Sequence, residues 1–124
     1  MSKVIVIDDE PFILMMIEDK LKKAKIDVIT LRDSKGAVEL IRKEMPDLVI
    51  LDWMMPELSG IEVCKTIKRD PDMRHIPVFM LTAKGQDADE QMGLKCGAAR
   101  YITKPFSPKA LLEMVNEVVG RANA

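Results

Sequence analysis

The feature that most constrains this chain is a set of short apolar runs, each followed or closed by a carboxylate, hydroxyl or ammonium side chain. The runs are 4–7, 48–51, 78–81 and 101–103, and the polar residues are Asp8, Asp9, Asp52, Thr82 and Lys104. A continuous apolar run is typical of a parallel strand that is covered by helices on both faces. Ligands bind outside the carboxyl ends of such strands. The sequence therefore predicts that all five side chains share one pocket.

The strand runs alternate with helical patterns through 124 residues, which is the length of one α/β domain. Strands are predicted near 3–7, 27–31, 47–51, 77–81 and 100–103. Helices with 3.6-residue periodicity lie between them, and the most polar one is predicted at 86–95. Helix starts are predicted at Pro11, at Ser34, at Ser59 with Glu62, and at Ser107–Pro108. We also interpret Met45, with most of the other methionines, as core filling.

Composition excludes several classes of partner. Lys and Arg number 19 against 20 Asp and Glu, and the net charge is -1, so no direct contact with nucleic acid or an anionic membrane is predicted. No membrane-length apolar run and no signal peptide are present, which predicts a cytoplasmic protein. Cys64 and Cys96 are too few for a disulfide framework or a zinc site, and we interpret them as buried thiols.

The predicted pocket has a recognisable chemistry. Three carboxylates in close proximity repel one another and require a cation, and oxygen ligands favour Mg²⁺. Asp52 ends the most apolar strand, where a carboxylate can act as a nucleophile and form an aspartyl phosphate. Thr82 and Lys104 would then bind the phosphoryl oxygens. The Lys104–Pro105 bond is a candidate cis peptide.

Taken together, these motifs resemble the receiver domain of bacterial response regulators. The matching segments are 7–10, 51–56 with Gly60, 80–83, 97–98 and 101–106, and the resemblance extends from residue 3 to about residue 120. It implies a flavodoxin-like (βα)5 fold with five parallel strands in order 2-1-3-4-5, as in the chemotaxis member of the family.

The resemblance also implies a role for each site residue. Asp52 would accept a phosphoryl group from a histidine kinase or phosphotransfer protein. Mg²⁺ would be held by Asp9, by Asp52, by the Met54 backbone carbonyl and, mostly through water, by Asp8.

Four further positions acquire roles by the same resemblance. Thr82 and Lys104 would bind the phosphoryl oxygens, and Tyr101 would turn inward when Thr82 moves toward the phosphate. Met54 and Lys84 would tune the lifetime of the phosphorylated state.

The sequence says less about how the signal is passed on. We expect residues 1–124 to be a single receiver domain without an output domain. Its signal would pass to an unidentified protein through the face formed by the predicted helix at 86–95, the last strand and the last helix. In the winged-helix branch of the family, charge pairs on this face hold a dimer. We expect no such dimer here, because the residues at the matching positions do not form these charge pairs. The positions are Glu90, Ala99, Arg100, Ala110, Met114 and Arg121.

Three alternative functions use parts of the same residue pattern. A phosphatase with an aspartyl nucleophile needs an acid two residues after Asp52, where this chain has Met54. A flavin- or nucleotide-binding module needs a glycine-rich loop after the first strand, where 8–10 is acidic. A phosphate sink without output uses the same residues as a signalling receiver. We therefore predict a phosphoacceptor rather than a turnover enzyme.

Overall fold

The structure is a computed structural model that describes residues 2–53, 55, 59–83 and 96–122. Five parallel strands form one sheet in the order β2-β1-β3-β4-β5. The strands are β1 Lys3–Ile7, β2 Asp27–Leu31, β3 Leu48–Asp52, β4 Val78–Ala83 and β5 Arg100–Lys104. The described helices are α1 Pro11–Lys23, α2 Ala37–Glu44, α3 Gly60–Arg69 and α4 Pro108–Ala122. The predicted strand order is confirmed, whereas the predicted helix at 86–95 lies outside the described residues.

The sheet separates two hydrophobic cores, one on each face. Alternate residues of the central strands point to opposite faces, so that Ile5 and Leu51 pack against α2 and α3 while Val6 and Ile50 pack against α1 and α4. All four side chains are fully buried. This two-sided burial explains why the strand sequences are continuously apolar rather than alternating.

Two of the predicted helix caps are present and one is wrong. The Ser59 Oγ atom accepts a hydrogen bond from the Glu62 amide at 3.3 Å, and Ser107 Oγ accepts one from the Ala110 amide at 3.2 Å. Ser34 is not the N-cap of α2, because Gly36, two residues later, occupies that position and the helix begins at Ala37. Gly36 has a φ of +76°, a left-handed conformation that glycine adopts without strain.

Met45 is the second correction. It follows the last residue of α2 with a left-handed φ of 46°, and its side chain is exposed. The helical periodicity that predicted a buried Met45 no longer applies there, because the helix has already ended. Among the residues that the structure describes, no helix is long and apolar enough to cross a membrane.

The ends of the strands position the site. β3 extends one residue beyond its predicted end and includes Asp52, and β4 extends far enough to include Thr82. In the sheet register, Asp52 lies beside Leu81, and Thr82 lies beside Thr103. Asp52, Thr82 and Lys104 are therefore held by strands, whereas Asp8 and Asp9 directly follow the end of β1.

Candidate functional site

Three carboxylates meet at the carboxyl edge of the sheet. Oxygen atoms of Asp8, Asp9 and Asp52 all lie within 4.8 Å of one another. They converge because β1 and β3 are parallel neighbours that end at the same edge. Asp8 and Asp52 are buried and Asp9 is exposed, so the cluster opens to solvent on one side.

Asp8 is held from two directions. Its Oδ1 atom accepts a hydrogen bond from the Glu10 amide at 2.9 Å, which ties it to the start of α1. Its Oδ2 atom is buried and has no hydrogen bond of good geometry among the described residues, although the Lys104 Nζ atom lies 2.8 Å away. An oxygen in this situation retains lone pairs for a further ligand, such as a metal ion or its water.

Lys104 brings one positive charge into the cluster from the last residue of β5. Its Nζ atom lies 3.4 Å from Asp52 Oδ1 and 3.9 Å from Glu10 Oε2, in addition to the shorter contact with Asp8. Burial lowers the pKa of Lys104, but the adjacent Asp8 carboxylate and the charges of Asp52 and Glu10 outweigh burial and raise it overall. Lys104 is therefore a stable ammonium group at neutral pH.

For Asp52, burial and the neighbouring charges act on the pKa with a different result. Burial, the charge of Asp8 and a hydrogen bond with Asp9 raise the pKa of Asp52 to about 7, and Lys104 opposes this rise only in part. One ammonium group thus does not compensate three adjacent carboxylates. A divalent cation bound to these oxygens would supply the missing charge, and an all-oxygen set of this kind suits Mg²⁺.

The other predicted residues lie around this cluster. Thr82 is buried near the end of β4, at the same edge of the sheet as Asp52 and Lys104. Tyr101 points away from solvent, with its hydroxyl buried and its ring centroid 5.9 Å from that of Trp53 at an interplanar angle of 41°. The Lys104–Pro105 bond is cis. Met54 and Lys84 lie outside the described residues.

Two interactions were not anticipated from the sequence. Gly60, which appeared only as part of a motif, begins α3 directly against the Asp52 backbone: an added Cβ atom would lie 2.2 Å from the Asp52 carbonyl oxygen. Arg100 pairs with Glu117 of α4 at 2.6 Å, a partner that the sequence pattern did not identify. The glycine at a helix start was a usable signal, whereas the pairing of Arg100 depends on how α4 packs beside β5.

The comparison with known proteins agrees with this geometry. A family model described as the response regulator receiver domain matches residues 4–116. The chain belongs to the response regulator receiver family. The role of this family is to be phosphorylated by histidine kinases in two-component signalling.

Several relatives of this receiver domain are named as transcriptional regulators. A probable transcriptional regulator, ycf27, from Guillardia theta is 45% identical over 122 residues, covering 98% of this chain and 47% of the relative. The alkaline phosphatase synthesis transcriptional regulatory protein PhoP of Bacillus subtilis is 41% identical, covering 98% and 50%. This receiver domain thus spans about half the length of these curated relatives.

Solved structures show the same fold. The receiver domain of the Francisella response regulator 1452 superimposes with a TM-score of 0.88 at 35% identity, covering 98% of this chain and 99% of that one.

Proposed function

We propose that this receiver domain accepts a phosphoryl group on Asp52 in a Mg²⁺-dependent reaction, with a histidine kinase or phosphotransfer protein as the donor. The observation that carries the proposal is the position of Asp52, whose carboxylate lies at a strand end between two further carboxylates and the Lys104 ammonium group. The cytoplasmic placement predicted from the sequence is part of the proposal.

In this proposal the Asp52 carboxylate oxygen attacks the phosphorus atom, and the bond from phosphorus to the donor imidazole nitrogen breaks. Lys104, which is already 3.4 Å from Asp52 Oδ1, pairs with the phosphoryl oxygens, and the Thr82 hydroxyl donates a hydrogen bond to them. Asp9, Asp52 and the Met54 carbonyl, with Asp8 mostly through water, would hold Mg²⁺, which would neutralise charge on the transferred group. The product is the phosphorylated protein itself, with the phosphoryl group on Asp52. We therefore infer a phosphoacceptor rather than an enzyme that turns over an external substrate.

We propose that two neighbouring strands, β4 and β5, transmit the signal from the phosphorylated site. Thr82 on β4 and Tyr101 on β5 are the proposed switch pair, and Tyr101 already packs inward against Trp53. A phosphoryl group that attracts Thr82 would favour one packing of this face over another, which is a shift in population driven by a new dianion. The downstream partner is a protein, and no direct contact with nucleic acid is proposed for this domain.

Intact-protein mass spectrometry after incubation with acetyl phosphate and Mg²⁺ tests the proposal. We expect one added phosphoryl group in the wild type and none in Asp52→Asn or with a chelator. The matched control is Asp27→Asn, an exposed aspartate at the opposite end of the sheet, which should be labelled like the wild type. Labelling that persists in Asp52→Asn, or an unlabelled wild type, would overturn the assignment.

Met54 is proposed to lengthen the lifetime of the phosphorylated state, because a thioether orients an attacking water poorly. Met54→Asn is therefore expected to lose its phosphoryl group several-fold faster than the wild type, measured as the decay of the phosphorylated mass. Lys84 is the second proposed tuning position. Met45→Asn is the matched control, since Met45 is exposed and has a left-handed backbone that asparagine tolerates. An unchanged decay rate in Met54→Asn would refute this role.

The donor protein is proposed to dock on α1, beside the site. Phe12 and Met15 are 73% and 69% exposed on this helix, which begins directly after Glu10. Large apolar side chains exposed together are characteristic of binding surfaces. The test uses a phosphorylated histidine kinase that labels the wild type. We expect the double variant Phe12→Ser/Met15→Ser to accept the phosphoryl group from it at least tenfold more slowly than the wild type does.

Labelling by acetyl phosphate separates docking from chemistry in that experiment. The small donor needs no helix surface, so the double variant should be labelled by it at the wild-type rate. Met45→Ser, an exposed apolar residue far from α1 in sequence, controls for general surface polarity. Equal transfer from the kinase to variant and wild type would exclude α1 as the docking surface.

We further propose that phosphorylation does not produce the dimer of the winged-helix branch. Arg100 is already paired with Glu117 within the chain, which leaves neither charge available for a second copy without breaking this contact. Sedimentation velocity of the phosphorylated protein is expected to show a monomer. A stable dimer that dissociates in Arg100→Ala or Glu117→Ala would contradict the prediction.

A further inference from the structure

The two cysteines of the chain meet in the core, although 32 positions separate them. Cys64 lies on α3 and is fully buried, and Cys96 lies in the turn before β5 and is 4% exposed. The Cys64 Sγ atom donates a hydrogen bond to the Cys96 carbonyl oxygen at 3.5 Å, so the two residues are in direct contact. The pair lies in the core that contains Trp53 and packs against Tyr101, apart from the carboxylate cluster.

We propose that Cys64 and Cys96 are a redox-active dithiol, which a peroxide such as hydrogen peroxide converts into an intramolecular disulfide. This inference does not depend on phosphorylation of Asp52. It goes beyond packing, because the Cys64 sulfur already lies 3.5 Å from the Cys96 backbone, and a disulfide forms only between residues that are close neighbours. Disulfides in reducing compartments are typically transient and redox-sensing.

The two thiols are chemically different. The neighbouring Cys64 side chain lowers the pKa of Cys96 to about 7 against the effect of burial, with help from the Ala98 backbone and the charge of Lys65. The interaction with Cys96, together with burial, raises the pKa of Cys64. Cys96 is thus the thiolate-forming nucleophile, and Cys64 is the thiol that resolves the intermediate.

The reaction is balanced by the peroxide alone. The Cys96 thiolate sulfur attacks one peroxide oxygen, the O–O bond breaks, and the products are a sulfenic acid and hydroxide. The Cys64 sulfur then attacks the sulfenic sulfur, the S–O bond breaks, and the oxygen leaves as water once the Cys64 proton is transferred. Two thiols lose two electrons and two protons in total, and one peroxide molecule becomes two molecules of water.

The disulfide would connect α3 to the start of β5. This strand carries Tyr101 and Lys104, which are five and eight residues beyond Cys96. Oxidation would therefore restrain the position of β5 against α3 on the face that Tyr101 occupies. A crosslink across a long loop also restricts the unfolded chain, so the oxidised protein should melt at a higher temperature.

Intact-protein mass spectrometry of the wild type before and after hydrogen peroxide treatment tests the proposal without any variant. We expect a mass decrease of about 2 Da, the loss of both alkylatable thiols after denaturation, and recovery of both with dithiothreitol. The melting temperature of the oxidised monomer should rise by several degrees. In the native reduced protein, iodoacetamide should modify Cys96 faster than Cys64.

Two cysteine variants test the assigned roles, and three results would contradict the proposal. Cys64→Ala should accumulate a sulfenic acid on Cys96, trappable with dimedone, and Cys96→Ala should remain unmodified under the same conditions. Stepwise oxygen additions in the wild type without the 2 Da loss would overturn the proposal. Disulfide-linked dimers only, or two unmodified thiols at a peroxide concentration that fully oxidises free cysteine, would overturn it equally.

Discussion

Gly60→Ala is expected to destabilise the receiver domain by about 3 kcal/mol or more, which is at the upper end of single-residue effects. The added Cβ atom would lie 2.2 Å from the Asp52 carbonyl oxygen and 3.0 Å from its carbonyl carbon. Both atoms belong to the backbone of β3, so no side-chain rotation can relieve the overlap. The Gly60 amide also donates a 3.0 Å hydrogen bond to the Trp53 carbonyl, which the displacement would break. Urea denaturation measures the loss.

Gly120→Ala is the matched control for this experiment. Gly120 lies in α4, and an added Cβ there meets nothing within 4 Å. Alanine is the better helix former by about 1 kcal/mol, so this variant should be as stable as the wild type or slightly more stable. A Gly60→Ala variant within 1 kcal/mol of the wild type would show that β3 and α3 separate easily, contrary to the close contact described above.

The same substitution has a functional consequence. The overlap falls on the backbone of Asp52, so any shift that relieves it also moves the proposed phosphoacceptor relative to Lys104. We expect the rate of acetyl phosphate labelling of Gly60→Ala to fall well below that of Gly120→Ala, even under conditions in which both variants are fully folded.

Asp52→Asn is expected to stabilise the metal-free protein at pH 8 by about 2 kcal/mol and to have little effect near pH 4. The pKa of Asp52 is raised to about 7 in the folded protein, chiefly by burial and then by the charge of Asp8. Between its ordinary pKa and this raised value, the folded protein binds the Asp52 proton more tightly than the unfolded chain does. Wild-type stability therefore falls as pH rises through this range, and it is lowest when Asp52 is ionised in both states.

Chemical denaturation at pH 4, 6 and 8 in the presence of a chelator measures this dependence. The difference in unfolding free energy between Asp52→Asn and the wild type should grow from pH 4 to about pH 7 and then level off. Asp27→Asn, at the exposed start of β2, should show no comparable trend. A variant that is less stable than the wild type at pH 8 would mean that Lys104 already compensates the carboxylate cluster.

Mg²⁺ should reverse the order of stability at pH 8. A cation that binds the folded wild type stabilises it according to its concentration and affinity, whereas Asp52→Asn has lost a proposed ligand. Trp53 is the single tryptophan and directly follows Asp52, so its fluorescence offers a direct measure of binding in the same samples. Equal stabilisation of both proteins by Mg²⁺ would remove Asp52 from the ligand set.

Much of the fold followed from local patterns. The β1 and β2 boundaries agree with the sequence prediction residue for residue, and β3 and β4 differ by one or two residues at each end. The pattern failed where a helix boundary was displaced, as at Ser34 and Met45, because a glycine or a left-handed residue can end the periodic segment earlier or later than its apolar residues suggest. Such boundaries depend on the backbone conformation of single residues, which periodicity does not report.

The grouping of Asp8, Asp9, Asp52 and Lys104 at one edge of the sheet could also be predicted from the sequence, since each of these polar residues closes a run of strand formers and parallel strands end together. What the sequence could not supply were the interactions between distant segments. These include the closer approach of Lys104 to Asp8 than to Asp52, the contact of Gly60 with the Asp52 carbonyl, and the meeting of Cys64 with Cys96. Alternation and helix caps arise from neighbours along the chain, whereas distances across strands and helices, and the pKa values that depend on them, arise only when the core has packed.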